Sequence, residues 1–251
     1  MKLLEVLKSL LMEVKKIDIF SLPSQGIFYK DDFNLKIKKA DIEDIIEYEH
    51  KFDKDNLVTV IECIKKVVNK NVIIEGYSYF DIKSVDIIYI FLEIVKFTSK
   101  KEITVPYIDT GGNENFVNFG CNSFKYFDFS PYMKFYDKEN KEMVINGYRF
   151  SLPSIGIESS LTQYLSSKTV DVDIQKLNEV DYDFMFFLGD KNSLNSSEIE
   201  NLIQIFNFDI DEEERNKIKK IIDKFRSITG YSLIADGITI GLKPNLTNIW
   251  K

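Results

Sequence analysis

A six-residue motif that occurs twice restricts the fold of this chain more than any other sequence feature. The first motif, Ser21–Gly26, reads Ser-Leu-Pro-Ser-Gln-Gly, and the second motif, Ser151–Gly156, reads Ser-Leu-Pro-Ser-Ile-Gly. Proline fixes φ at about −65° and lacks an N–H donor. Serine bonds to nearby backbone groups, and glycine tolerates positive φ. Because apolar residues flank both copies, we expect each to be a strand that ends in a sharp turn.

The remainder of the chain repeats together with this motif. The second motif begins 130 residues after the first. Phe80–Ile82 recurs as Phe208–Ile210, and Lys96–Ser99 recurs with one change as Lys224–Ser227, both at an offset of 128 residues. Three matches in the same order and at nearly the same offset predict an internal duplication.

The pattern of apolar and turn residues predicts an α+β fold with two similar halves. Each half would comprise a strand-turn element, a small helical bundle and a β-hairpin. Hairpins are predicted around residues 103–119, 143–150 and 231–242, the last two at Asn146-Gly147 and Asp236-Gly237 turns. The predicted division is an N-terminal amphipathic helix over 1–18, a first half over 19–145 and a second half over 146–251.

Helices are predicted where apolar residues are spaced by three or four. The N-terminal helix has one narrow apolar stripe, which either packs on its own domain or docks on a neighbouring subunit. Ile87–Leu92 is apolar on every side and predicts a buried central helix, whereas the aromatic segment 124–136 predicts strand or turn. Other predicted helices begin at Asp41, at residue 56, at Ser159 or Ser160, at a capping box over Ser197–Glu200, and at Asp211.

The composition argues against several classes of protein. With 44% apolar and 29% charged residues, a chain of 251 residues can form a packed core and a polar surface. A net charge of −7 argues against nucleic-acid binding. Two cysteines and one histidine are too few for a disulfide framework or a structural zinc site, and reduced thiols are expected. No apolar run reaches the ~20 residues that cross a bilayer, and no signal peptide is recognised, so we expect a soluble intracellular protein.

Catalytic groups are not predicted. His50 lies at a polar helix end, and Asp109–Glu114 lacks both the ligand spacing of a calcium loop and the lysine of a phosphate-binding loop. The acidic clusters at 41–44, 181–183 and 209–214 fall at helix starts, where they stabilise the helix dipole. We therefore expect no enzyme activity, no cofactor and no metal.

The two cysteines do not change this expectation. Cys63 lies between isoleucines on a predicted helix and is typical of a core thiol. Cys121 follows a glycine in a loop-like stretch, and the sequence offers it no activating base. Trp250, next to the last residue, is expected to dock on this chain or on a partner.

The first motif and its surroundings resemble a known protein family. Phe20–Tyr29, which reads Phe-Ser-Leu-Pro-Ser-Gln-Gly-Ile-Phe-Tyr, is similar to the opening segment of the baseplate hub and tail-assembly proteins of T-even-type contractile-tailed bacteriophages. Leu35–Asp44 resembles the alternating strand and acidic helix start that follow in that family. Leu152-Pro153 resembles its mid-chain leucine-proline segment, and Trp250 its aromatic C-terminus. Some members carry cysteine pairs in their hairpins, but Cys121 stands alone, so no metal role is implied.

The resemblance implies a non-enzymatic structural component of a phage contractile-tail baseplate, in the hub or wedge region. Such a protein would be assembled in the host cytoplasm into the virion and would bind other baseplate or tail proteins in a multi-subunit assembly. No nucleic acid and no membrane insertion would be involved. The alternatives are a tail or baseplate assembly chaperone that is absent from the mature virion, an enzyme with an unrecognised site, and a cytosolic binding module.

Candidate interface residues come from the N-terminal stripe, the two motifs and the C-terminus. The first motif continues into aromatic residues, which we expect to be buried, and the second should lead directly into a helix. The candidates are Leu3, Leu7, Leu10, Val14, Leu22, Pro23, Gly26, Phe28, Tyr29, Leu152, Pro153, Gly156 and Trp250.

Overall fold

The computed structural model describes residues 13–51, 56–119, 126–168, 186, 192–226, 228, 232–235, 238–241 and 250. Over these residues the protein is α+β, with helices and small antiparallel sheets, as predicted. The α-helices are α1 (Ile42–Lys51), α2 (Leu57–Asn71), α3 (Ile87–Ser99), α4 (Ile155–Lys168), α5 (Ser196–Gln204) and α6 (Glu212–Arg226). The strands are β1 (Val14–Lys16), β2 (Leu35–Lys38), β3 (Val72–Ile74), β4 (Thr104–Ile108), β5 (Glu114–Asn118), β6 (Tyr136–Asp137), β7 (Glu142–Ile145), β8 (Tyr148–Phe150), β9 (Ser232–Ala235) and β10 (Ile238–Gly241).

The first sheet is three-stranded, with β2 between β1 and β3. Leu35 and Ile37 of β2 alternate with half-exposed lysines and are fully buried, which confirms the predicted strand. The predicted N-terminal helix is wrong at its C-terminal end, because Val14 lies in β1 opposite Lys38. Strand pairing here outweighs the helical spacing of the leucines, since Ile17 also donates its N–H to the Leu35 carbonyl at 2.9 Å.

The first core is built around α3, as predicted. Every residue from Ile87 to Val95 is buried. The β4–β5 hairpin covers one side of this helix, with Val105 and Phe119 buried, while Tyr48 of α1 stacks on Phe91 at 5.2 Å between ring centroids. Apart from Ile155, the buried residues of this core come from 17–119.

The second core collects buried residues from 129–228, together with Phe28. The predicted boundary at 145/146 falls within the β7–β8 hairpin, whose Met143 and Phe150 both belong to this core. The Asn146-Gly147 turn was correctly predicted, with φ of 50° and 86°. Segment 130–135 is a 3-10 helix rather than the predicted strand or turn, since Pro131 stands in its first turn.

Helix starts differ from the prediction where a different residue supplies the cap. Helix α4 begins at Ile155, earlier than the predicted Ser159 or Ser160, because Ser154 Oγ accepts the Ile157 N–H at 3.3 Å. The capping box of α5 is formed by Asn195 and Glu198 instead of Ser197 and Glu200. Asp211 caps α6 as predicted, accepting the Glu214 N–H at 2.9 Å.

Within the part of the chain that the structure describes, no helix combines the length and the apolar character needed to cross a bilayer.

Candidate functional site

The two motifs meet at one short segment, Ile82–Asp86, which we call the junction segment. The first motif reaches it from the first core, and the second motif reaches it from the start of α4. Ser24 and Asp86 have no exposed surface, and Lys83 retains 9%. The junction segment thus contacts Ser24, which lies 62 residues before Asp86, and Ser151, which lies 68 residues after Lys83.

The first motif binds the junction through the Asp86 carboxylate. Ser24 donates its N–H to Oδ1 at 2.8 Å and its hydroxyl to Oδ2 at 2.7 Å. Tyr29 donates its hydroxyl to Oδ2 at 2.7 Å, and the same hydroxyl oxygen accepts the Lys83 N–H at 2.8 Å. Three donors therefore converge on one buried carboxylate, the arrangement that compensates a buried charge.

The second motif binds the junction through the backbone and one lysine. The Ser84 N–H donates to the Pro153 carbonyl at 2.9 Å, and the Ile155 N–H donates to the Ile82 carbonyl at 2.9 Å. These bonds flank a single antiparallel bridge between Lys83 and Ser154. The Lys83 ammonium donates to Ser151 Oγ at 3.1 Å.

Burial controls the protonation of the junction. Desolvation raises the pKa of Asp86 to about 6, although the bonds from Ser24 and Tyr29 and the charge of Lys83 act against the shift. Desolvation also lowers the pKa of Lys83 to about 8, against the nearby carboxylates of Asp86, Asp81 and Glu142. The pKa of Tyr29 is raised well above its usual value by burial and then by Asp86. The carboxylate and the ammonium are thus both charged between about pH 6 and pH 8.

Adjacent aromatic residues after the first motif enter opposite cores. Phe28 lies edge-to-face with Phe129 and Phe225 of the second core, at 5.8 and 6.1 Å between centroids. Tyr29 stacks on Phe33 in the first core at 4.2 Å. Both are at most 5% exposed, which confirms the predicted burial. The second motif also contributes to both cores. Its Leu152 is buried in the second core, whereas its Ile155 is buried in the first core.

Most of the predicted interface residues lie in the interior of the chain. The apolar side chains of both motifs are buried in the two cores of this chain, and their contact with another protein stays a prediction. The residues concerned are Leu22, Pro23, Gly26, Phe28, Tyr29, Leu152, Pro153 and Gly156.

The remaining interface candidates lie at the ends of the chain. Val14 is 45% exposed. Trp250 docks on its own chain, edge-to-face with Tyr48 and Phe91. The other three, Leu3, Leu7 and Leu10, lie outside the described residues.

Asp109 and His50, which carry polar groups considered in the sequence, both lie at the surface. Asp109 accepts the N–H groups of Gly111 and Asn113 at 2.8 Å each, which is the chemistry of a hairpin tip. These bonds hold the pKa of Asp109 below its usual value. His50 is exposed at the end of α1. Among the described residues, no group of three or more histidine, cysteine or acidic residues could hold a metal ion.

Three further predictions fall outside the described residues. These concern Cys121, the acidic cluster at 181–183 and the Asp236-Gly237 turn. Strands β9 and β10 on either side of that turn pair as predicted, with Ile238 opposite Ala235.

A groove of about 790 Å³ lies between α2 and α4. Its lysines are paired within the chain, Lys51 with Glu47 at 2.6 Å and Lys65 with Glu158 at 3.6 Å. Cys63 lies at the groove wall with 8% of its surface exposed, and burial raises the pKa of its thiol. A neutral thiol is a poor nucleophile, so Cys63 is not activated for nucleophilic attack in this groove.

Lys83 and Asp86 were not predicted as site residues from the sequence. Asp86 directly precedes an apolar helix, a position typical of a helix cap. In the structure its side chain makes no capping bond and instead reaches Ser24. The sequence shows a lysine and an aspartate three residues apart at the edge of an apolar stretch. This pattern alone does not identify the distant residues that the two side chains bind.

Comparison with known proteins gives no match to this chain among protein-family models, curated proteins or solved structures.

Proposed function

We propose that this chain is a non-enzymatic structural component of a phage contractile-tail baseplate, in the hub or wedge region. It would bind other baseplate or tail proteins and reside in the virion after assembly in the host cytoplasm. The observation that carries the proposal is the position of Phe20–Tyr29, the segment with the most specific family resemblance. Ser24 and Tyr29 of this segment bind Asp86, and Phe28 packs in the second core. The residues of Phe20–Tyr29 thereby hold the two cores in one fixed arrangement. A protein of fixed shape is suited to a large assembly, because its contact surfaces keep the same relative positions.

Exposed aromatic side chains support contacts with other proteins. Phe20, Phe116 and Phe208 are 72%, 63% and 71% exposed. Phe116 extends outward from the β4–β5 hairpin beside Ile108, which is 59% exposed. Aromatic residues in exposed apolar patches are enriched at protein interfaces.

Mass spectrometry of purified phage particles and of tail-assembly intermediates tests the proposal. We expect peptides of this chain in both samples, at a constant ratio to other baseplate proteins. Presence in the intermediates together with absence from finished particles would instead support the assembly chaperone. Absence from both samples would contradict a role in the tail altogether.

One observation favours the enzyme alternative. Ser151 Oγ and Lys83 Nζ are 3.1 Å apart, and a lysine with a pKa of about 8 can act as a base for serine. Both residues are buried, however, with 4% and 9% exposure. A serine-directed fluorophosphonate should therefore leave Ser151 unlabelled in the native protein. Labelling of Ser151 that disappears in Lys83→Met would support an enzyme.

We also propose that the α+β fold contains two related units, as the 128-residue offset suggests. Each unit would contain a long helix followed by a hairpin, α3 with β4–β5 and α6 with β9–β10. Before each helix an exposed phenylalanine precedes a buried isoleucine, Phe80 with Ile82 and Phe208 with Ile210. A crystal structure tests this, because superposing the two units in it should align Ile82 with Ile210. A best superposition at another offset would contradict the duplication.

A further inference from the structure

An apolar face of α1 is open to solvent. Ile42 is 74% exposed and Ile46 is 51% exposed. They are four residues apart, so they lie one above the other on the same side of the helix. The opposite side of α1 is buried, with Asp44 and Tyr48 at 3% and 2%. Two large exposed β-branched side chains in adjacent turns form a patch that a further apolar segment can cover.

The first described residues, Glu13 and Val14, lie close to the start of this helix. Val14 lies opposite Lys38 in an antiparallel pair, so going back from Val14 corresponds to going forward from Lys38. The Glu13 carboxylate forms an ion pair with the Lys39 ammonium. Lys39 is three residues before Ile42, so the point at which the preceding segment, residues 1–12, joins β1 lies near the start of α1.

That preceding segment carries the apolar stripe identified in the sequence. Leucines stand at positions 3, 7 and 10, with Leu4 and Leu11 beside them, and charged residues such as Glu5 and Lys8 lie between. A helical segment of this length, at about 1.5 Å per residue, exceeds the single turn between Ile42 and Ile46. The stripe therefore has enough length and enough apolar side chains to match the patch.

We propose that residues 3–11 cover the Ile42–Ile46 face of α1 in the same chain. The tether favours this occupant over a separate molecule, because a short linker gives an effective concentration in about the millimolar range. The ion pair between Glu13 and Lys39 keeps the tether short. This inference does not rest on the proposed role in a phage tail.

Amide hydrogen exchange of the full chain, followed by mass spectrometry, tests this proposal. In the wild-type protein the amides of residues 3–11 should be protected. In Ile42→Asp/Ile46→Asp their exchange should accelerate by about tenfold or more, because the charged face no longer holds the leucines. The matched control is Ile108→Asp/Phe116→Asp, which changes two apolar residues of similar exposure, 59% and 63%, on the β4–β5 hairpin and should leave residues 3–11 protected. Retained protection of α3 shows that each variant is folded.

A reciprocal change completes the test. Leu7→Asp/Leu10→Asp should also expose residues 3–11, and adding the two isoleucine substitutions should accelerate exchange no further, since both changes remove the same contact. The proposal is overturned if residues 3–11 are unprotected in the wild type, or equally protected in Ile42→Asp/Ile46→Asp. Protection that disappears on tenfold dilution would assign the face to a second copy and would also overturn it.

Discussion

The two copies of the motif share five of six residues and use them for different tasks. In the first motif, Ser24 donates twice to the Asp86 carboxylate, whereas in the second motif Ser154 accepts the Ile157 N–H and starts a helix. The leucines also differ, because Leu22 is buried in the first core and Leu152 in the second. A short sequence thus determines which groups are available, while the tertiary surroundings determine what they bind.

The glycines show the difference most clearly. Gly26 has φ of +69°, and it follows Gln25 at +54°, so the first motif turns through two left-handed residues. Gly156 lies in the first turn of α4, and a Cβ there would be 1.9 Å from the Asn192 carbonyl oxygen. The first glycine is required for its dihedral angle and the second for the close approach of another backbone.

Alanine at the two glycines should give the largest difference between the motifs. Gly156→Ala should lower the free energy of unfolding by at least about 3 kcal/mol, because the Asn192 backbone must move. Gly26→Ala should cost about 1–2 kcal/mol, mainly from its left-handed φ. Urea unfolding measures both. Gly76→Ala is the control, since Gly76 has φ of +76° and open space around it. Equal losses for Gly26→Ala and Gly156→Ala would remove the distinction.

Titration of Asp86 tests whether the first motif holds a buried charge. Because its pKa is about 6 in the folded protein and lower when unfolded, Asp86 contributes stability below about pH 4 that is lost as pH rises through about 6. The unfolding free energy of the wild type minus that of Asp86→Asn should therefore increase by about 2 kcal/mol between pH 7 and pH 4. Urea titrations at several pH values measure this difference. A constant difference would contradict the buried carboxylate.

The corresponding serines should differ by a smaller amount. Ser24→Ala removes a hydroxyl bond to a buried charged group and should cost about 2 kcal/mol. Ser154→Ala removes a longer helix-capping bond and should cost about 1 kcal/mol. Chemical denaturation of the two variants side by side is the measurement. The reverse order would mean that the cap, and not the carboxylate, is the main function of serine in this motif.

The smallest expected difference concerns the first serine of each motif. Ser151→Ala removes the hydroxyl that binds the Lys83 ammonium and should cost about 1 kcal/mol. Ser21→Ala removes a 3.2 Å contact with exposed Asp18 and should change stability by less than about 0.5 kcal/mol. Thermal unfolding can compare the two. A larger effect at Ser21 would contradict the assignment of the buried bond to Ser151.

Local signals in the sequence predicted the elements whose stability is local. Helix α3 follows from its continuous apolar run, the β7–β8 turn from Asn146-Gly147, and the start of α6 from Asp211. Each depends on residues within a few positions of one another. The same reasoning failed at Val14, because a three-residue strand gains its stability from its partner β2 and carries little pattern of its own.

The junction could not be predicted, since its contacts join distant parts of the chain. Ser24 and Asp86 are 62 residues apart, and Lys83 and Ser151 are 68 residues apart. The sequence indicated that the two motifs mattered and that Phe28 and Tyr29 would be buried. It contained no signal that both motifs would contact one segment, because pairing across such distances depends on how the cores assemble.

The crossing of Phe28 and Ile155 between the cores has a consequence for how the molecule loses its structure. Each core includes a side chain supplied by a segment that is anchored in the other. Neither core is complete without its neighbour, so the two should melt together as one cooperative unit instead of as successive domains. Calorimetry would then record a single transition, and a fragment that ends before Ile155 would lack part of its own interior.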